Sequence, residues 1–239
     1  MRRSILLIPL MLILLLSACS VNKADRDALK LRTEMAKWNS FRLDGVVEVN
    51  FQGYSLRKFF VAQKNLDVIR LDVLDGGIAG MSAEPLLSFY KGDYLALRSP
   101  MMPQLEFLNL DKYFPQDAFR TFSNLDSLAA EHQEEILSTH SLSLNSIRMD
   151  FTPGYSIKSI TDLKSGAKAD FIYTSRGQID KLELKVDEDA SLILLIDDAS
   201  FKPQVITPLE RSANTIDLLK SITDKFGDIL NKLPEKLDD

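Results

Sequence analysis

The chain has one cysteine, two histidines and one tryptophan among its 239 residues, and each scarcity excludes something. A single thiol forms neither an internal disulfide nor a Cys-rich zinc site. His132 and His140 have no partner of suitable type close in sequence, so both are expected to be solvated and not to serve catalysis or metal binding. Basic residues are few, 29 against 34 acidic ones for a net charge of −5, and they form no cluster. That argues against nucleic acid as a partner and against electrostatic docking on an anionic membrane surface. Gly76-Gly77 and Gly80 are not followed by the Lys-Ser/Thr pair of a phosphate loop. Ser82, Ser88 and Ser99 sit in no nucleophile motif. Asp187-Glu188-Asp189 and Asp197-Asp198 lack the glycine-bearing spacing of a calcium loop, so a charged hairpin tip is expected there. No repeat or low-complexity stretch is present. The expectation is a protein with no catalytic residue, no metal ligand and no diffusible cofactor.

What is there begins with the N-terminus. Arg2 and Arg3 precede an apolar run from Ile5 to Leu16, broken by Pro9. A positive start and about a dozen apolar residues describe a secretory leader. Crossing a bilayer as a helix takes roughly twenty. The run ends in Leu16-Ser17-Ala18-Cys19, which resembles the bacterial lipobox. That resemblance implies cleavage after residue 18, with diacylglycerol and an N-acyl chain on Cys19. One acyl chain binds a membrane marginally, whereas two or three anchor it stably at about 0.8 kcal/mol per buried methylene. Ser20 stands where the enterobacterial inner-membrane retention signal has aspartate, so the same resemblance implies an outer-membrane, periplasm-facing anchor. Residues 1–18 are then the leader and 19–23 a lipidated tether.

The rest, 45% hydrophobic and 26% charged over the whole chain, has a globular balance. From Ala24 to Asn39, the residues Ala28, Leu31, Met35 and Trp38 mark one helical face. The period then becomes two: Leu43, Gly45, Val47, Val49 and Phe51 alternate with polar neighbours, and Gly53 marks a hairpin. Strands are expected at 43–51, 54–63, 66–75, 86–91 and 94–99. Between about 105 and 140 the spacing is helical, through Phe119, Phe122, Leu125, Leu128, Ile136 and Leu137. Strands resume at 146–152, 155–161, 168–175, 179–187 and 191–198. Residues 213–233 carry a last apolar stripe of Ile216, Leu219, Ile222, Phe226, Ile229 and Leu233. The fold class expected is mainly β (α+β). A curved antiparallel sheet of about ten to eleven strands forms an incomplete barrel, with inserted helices and flanking N- and C-terminal helices.

The helix leading into FRLDGVVEVNF, together with NLDVIRLDVLDGGIAGM, KYFPQDAF and IDKLELKVDEDASLILLIDDASF, resembles the Lol family over roughly residues 24–201. This family contains the periplasmic lipoprotein carrier LolA and the outer-membrane lipoprotein receptor LolB. The resemblance implies an eleven-stranded open barrel with helices on its concave face, and acyl chains or lipoproteins as partners. It also implies an apolar residue in the protruding loop, needed for membrane insertion of cargo, where Ile78 and Met81 stand here; the alternative is that both fold back onto the core. The helix at 213–233 departs from the Lol pattern. The half-barrel domain is placed at 24–208 and the C-terminal amphipathic helix at 209–239.

Inward parity selects Val47, Val49, Phe51, Phe60, Ile69, Leu71 and Val73 as an acyl-chain-binding wall. Packing of the same residues against the inserted helices would give the same pattern. A second reading is a non-enzymatic envelope assembly or interaction module that docks a partner protein through the C-terminal helix. The alternative for that helix is packing on its own domain.

Overall fold

Alternation of apolar and polar side chains dictates the sheet. The computed structural model describes residues 23–51, 53–76, 85–107, 123–185 and 190–210. Helix α1, Lys23–Lys37, leads into five strands: β1 Ser40–Phe51, β2 Tyr54–Asn65, β3 Val68–Leu74, β4 Pro85–Lys91 and β5 Leu95–Arg98. A 3-10 turn at Pro103–Phe107 follows, then α2 Leu125–Glu131 and α3 Gln133–Thr139. Six strands complete the sheet: β6 Ser141–Leu144, β7 Ile147–Phe151, β8 Ile157–Asp162, β9 Lys168–Tyr173, β10 Ile179–Lys185 and β11 Ala190–Ser200. All pair antiparallel in the order β5-β4-β3-β2-β1-β11-β10-β9-β8-β7-β6. Each neighbour is a sequence neighbour except β1 and β11, which bring the two ends of the domain together. The end strands β5 and β6 stay apart, so the sheet is an incomplete barrel with the layout that the Lol resemblance implies.

Ten strands stand near their expected positions, and β6 is the addition. Its four residues follow directly on α3, which ends at His140 in a left-handed conformation (φ 54°). A run of four is too short to show its own period beside a helix. The turn near Gly154 also differs from a simple glycine turn, since Tyr155 carries the positive φ of 66°. Residues 108–122 of the expected helical insert, and the expected helix at 213–233, lie outside the described residues.

One face of the sheet is solvated, with like-facing ion pairs two residues apart along the strands. Arg42–Asp44, Arg70–Asp72, Arg148–Asp150 and Lys168–Asp170 close at 2.7–2.9 Å. The other face is apolar, and the three helices pack on it. Leu31 and Met35 of α1, Leu125 and Ala129 of α2, and Ile136 of α3 share one core with Leu43, Val47, Phe60, Leu142, Met149 and Ile157. Trp38, just past α1, meets Phe41, Phe171 and Phe201 edge-on at 5.3–5.6 Å. Such contacts are worth about 0.5–1.5 kcal/mol each beyond burial. Asn39 ties α1 to α2: its Nδ2 donates to Asp126 Oδ1 at 2.6 Å, while its Oδ1 accepts from the Leu125 N–H at 2.7 Å.

After β11, residues 202–210 run as a strap across β2–β5. Asn65, Arg70, Tyr94 and Arg98 donate to the carbonyls of Gln204, Thr207, Leu209 and Glu210. Leu209 is buried against Tyr90 and Ala96.

Candidate functional site

Among the described residues, the helices do not cover the whole apolar face. Strand pairing sets Val47 between Lys58 and Leu194, and Val49 between Leu56 and Leu192. Phe60 lies between Gly45 and Val73, and Leu71 between Ala62 and Phe89. Across β2, β1 and β11 the inward positions therefore form an apolar surface that Lys58 interrupts. Toward the hairpin end of these strands it encloses a cavity of about 470 Å³. Leu86, Leu87, Ser99, Met101 and Met102 complete the walls from β4 and the segment after β5. Val47 and Phe60, 4% and 1% exposed, also belong to the core beneath the helices, so they are its floor. Val49, Leu56, Met101 and Met102 are exposed and lie at its open side.

Of the residues selected from sequence parity, the structure brings Val47, Val49, Phe60, Leu71 and Val73 together around this space. Ile69 shares their face but stands between Lys64 and Lys91, at the far end of the strands. The Phe51 backbone pairs with Tyr54 and Ala190, and its side chain lies outside the described residues. Cys19, Ile78 and Met81 lie outside them too. The two expectations for the wall, helix packing and an open surface, each hold for part of it.

Sequence reasoning missed Leu192 and Leu194. Residues 192–196 are apolar at every position, so parity within the strand cannot choose a face. It also missed Met101 and Met102, which lie between two prolines and belong to no periodic run. Lys58 gave a signal that was passed over, a charge at an inward position between Leu56 and Phe60.

A second cavity of about 520 Å³ opens between the end of α1, the β9–β10 turn and the end of β11. It is polar, with Glu34, Lys37, Arg176, Asp180, Asp197 and Asp198 in its walls. Glu34 accepts from Lys37 Nζ at 2.6 Å and from Ser156 Oγ at 3.1 Å. Burial pushes the Tyr173 phenol up, and its hydroxyl donates to the Ile157 carbonyl at 2.8 Å. These contacts hold α1 against β8–β10 and set no acid–base pair against a nucleophile.

His132 joins α2 to α3, with Nδ1 3.9 Å from the Glu135 carboxylate. His140 differs from the solvated residue expected: it is half-buried and packs edge-on against Tyr155 at 5.2 Å. Ser88 donates 2.6 Å to Asp72, a carboxylate already paired with Arg70, which makes it a structural hydroxyl. Among the described residues, no three His, Cys, Asp or Glu side chains gather in a way that could hold a metal ion.

No protein-family model matches the chain, and no curated protein matches it. Among solved structures it is similar to a LolA superfamily protein from Nitrosomonas europaea, at TM-score 0.39 and 8% identity, over 78% of this chain and 96% of that one. A domain described as a putative outer membrane lipoprotein-sorting protein from Vibrio parahaemolyticus gives TM-score 0.37 and 9% identity, covering 79% and 95%. A DUF1329 family protein from Desulfovibrio piger gives TM-score 0.24 and 8% identity, covering 74% and 93%.

Proposed function

We propose that this chain is a lipid-anchored, non-enzymatic protein of the bacterial envelope that receives acyl chains in the apolar cavity of its half-barrel. On this reading it serves lipid or lipoprotein traffic toward the outer membrane, held there by acyl groups on Cys19. The observation that carries the reading is the cavity. Its volume of about 470 Å³ falls in the roughly 300–1,000 Å³ range of small-molecule sites. Its walls are apolar apart from Lys58 and Ser99, and one side is open. Burial of a chain there is worth about 0.8 kcal/mol per methylene before the cost of association. Neither a catalytic group nor a metal is needed for that.

The test is displacement of a fluorescent fatty-acid probe by unlabelled lipid or lipopeptide. Saturable micromolar binding, abolished in a Val73→Trp/Leu194→Trp double variant that fills the space, supports the reading. A folded wild-type chain without displaceable binding at micromolar probe defeats it.

A further inference from the structure

Among the described residues, Lys58 is the one charged side chain in the walls of the apolar cavity. On β2 it occupies an inward position, flanked by Leu56 and Phe60 and opposite Val47. Every local rule of strand patterning asks for an apolar residue there, and such departures gather at functional sites. The lysine stem lines the wall while the ammonium leaves it, as long amphipathic side chains do. Nζ reaches Asp75 Oδ1 at 2.6 Å, just past the end of β3. The pair is not sealed: the Asp75 side chain is 59% exposed and that of Lys58 26%. Lys58 also borders a shallower groove formed with Asp75 and Gly76 and with Val46, Arg57 and Phe59, whose side chains have the opposite parity and belong to the other face of the sheet. In the groove Arg57 is held by Glu48 at 3.2 Å, leaving its own side chain 63% exposed.

We infer that the cavity takes a lipid whose acyl chain ends in an anionic group, a carboxylate or a phosphate, and that Lys58 holds this group at the mouth. The inference rests on the acyl-chain reading above and narrows it. Asp75 keeps the lysine compensated while the cavity is empty. An entering anion takes over the ammonium, and the exposed Asp75 carboxylate returns to water, so charge pairing is conserved while the chain is buried. The exchange favours a lipid that carries its charge beside its chain. The thioether-linked diacylglycerol of a lipoprotein has no charge at that place and leaves Lys58 with Asp75.

The experiment compares hexadecanoate, hexadecyl phosphate and hexadecanol as displacers of one fluorescent probe from the purified full chain. Either or both anions should bind about tenfold tighter than the alcohol. The tighter of the two identifies the headgroup. Lys58→Met, which keeps the stem, should bring the anion-to-alcohol ratio close to one. Asp75→Asn, checked for folding by its thermal melt, should raise the ratio severalfold by removing the competitor. Equal binding of the three lipids by the wild type overturns the headgroup site and leaves the acyl-chain reading standing. So does a ratio that Asp75→Asn leaves unchanged. Failure of all three to displace the probe overturns both.

Discussion

The ammonium of Lys64 donates to the carbonyl oxygen of Trp38 at 2.6 Å, joining the inner face of β2 to the end of α1. A second contact, 3.4 Å to the Ser123 carbonyl, reaches the start of α2. The side chain is buried, and its charge is tolerated because two backbone carbonyls accept from it, one of them at the negative C-terminal end of α1.

Burial pushes the Lys64 pKa down to about 8, while the charge of Asp67 works in the opposite direction. A folded value below the unfolded one means that the unfolded chain holds the proton more tightly between pH 8 and about 10.4. Wild-type stability should therefore gain, from this group, up to about 2 kcal/mol between pH 8 and pH 10. The gain is absent below pH 8. Urea unfolding of the wild type and Lys64→Met at pH 7, 8, 9 and 10 checks it. The difference between the two should move in favour of the wild type over that window, and a flat difference would refute the assignment. The window stays at or below pH 10 because Tyr90, Tyr155 and Tyr173 have phenols raised by burial, and their ionisation in the unfolded chain opposes folding at higher pH.

Gly45 sits at a register slip between β1 and β11, where Asp197 is the extra residue. A Cβ placed there would run into the Leu195 carbonyl, which is backbone and has no room to yield. Gly45→Ala should cost about 2–4 kcal/mol and lower the melting temperature markedly. A melting temperature within a degree of wild type would show that the β1–β11 seam can relax.

Phe60 and Leu56 face the same cavity four residues apart, but one is its floor and the other its lip. Phe60→Ala should destabilise by about 3–5 kcal/mol, whereas Leu56→Ala, at a position 53% exposed, should cost less than about 0.5 kcal/mol. Both should weaken binding of an acyl probe. Chemical denaturation run beside probe titration separates the two effects, and equal stability losses would contradict this division of the wall.

Cys19→Ala should abolish palmitate labelling and leave the leader uncleaved, since the proposed anchor is made on that thiol. Labelling with radioactive palmitate, followed by membrane fractionation, gives the outcome. Normal labelling of the variant would overturn the lipid-anchor proposal.

Much of the fold is legible along the chain because strand parity is a local property. Successive side chains alternate faces, so Val47, Val49, Phe60, Leu71 and Val73 declare a shared face before any pairing is known. Helical spacing in the same way groups Leu31, Met35 and Trp38, all three buried in the fold. Where local signals fell short, the reason was equally physical. β6 has four residues and no room for a period, and the run at residues 192–196 is apolar on both faces.

The alternation of residue types by itself determined that the chain makes a long antiparallel meander with one apolar face. Pairing of β1 with β11 joins residues about 150 positions apart, and nothing local encodes it. That pairing decided where the sheet curls, and so which apolar residues the helices cover and which they leave facing a cavity. The setting of the lysines on the inner face came from other tertiary contacts. Lys64 became a clasp for α1, Lys91 turned to the Asp67 carbonyl, and Lys58 came to the mouth of the cavity. A charge in a strand is written in the sequence, whereas the field and neighbours that give it a task come from contacts distant along the chain.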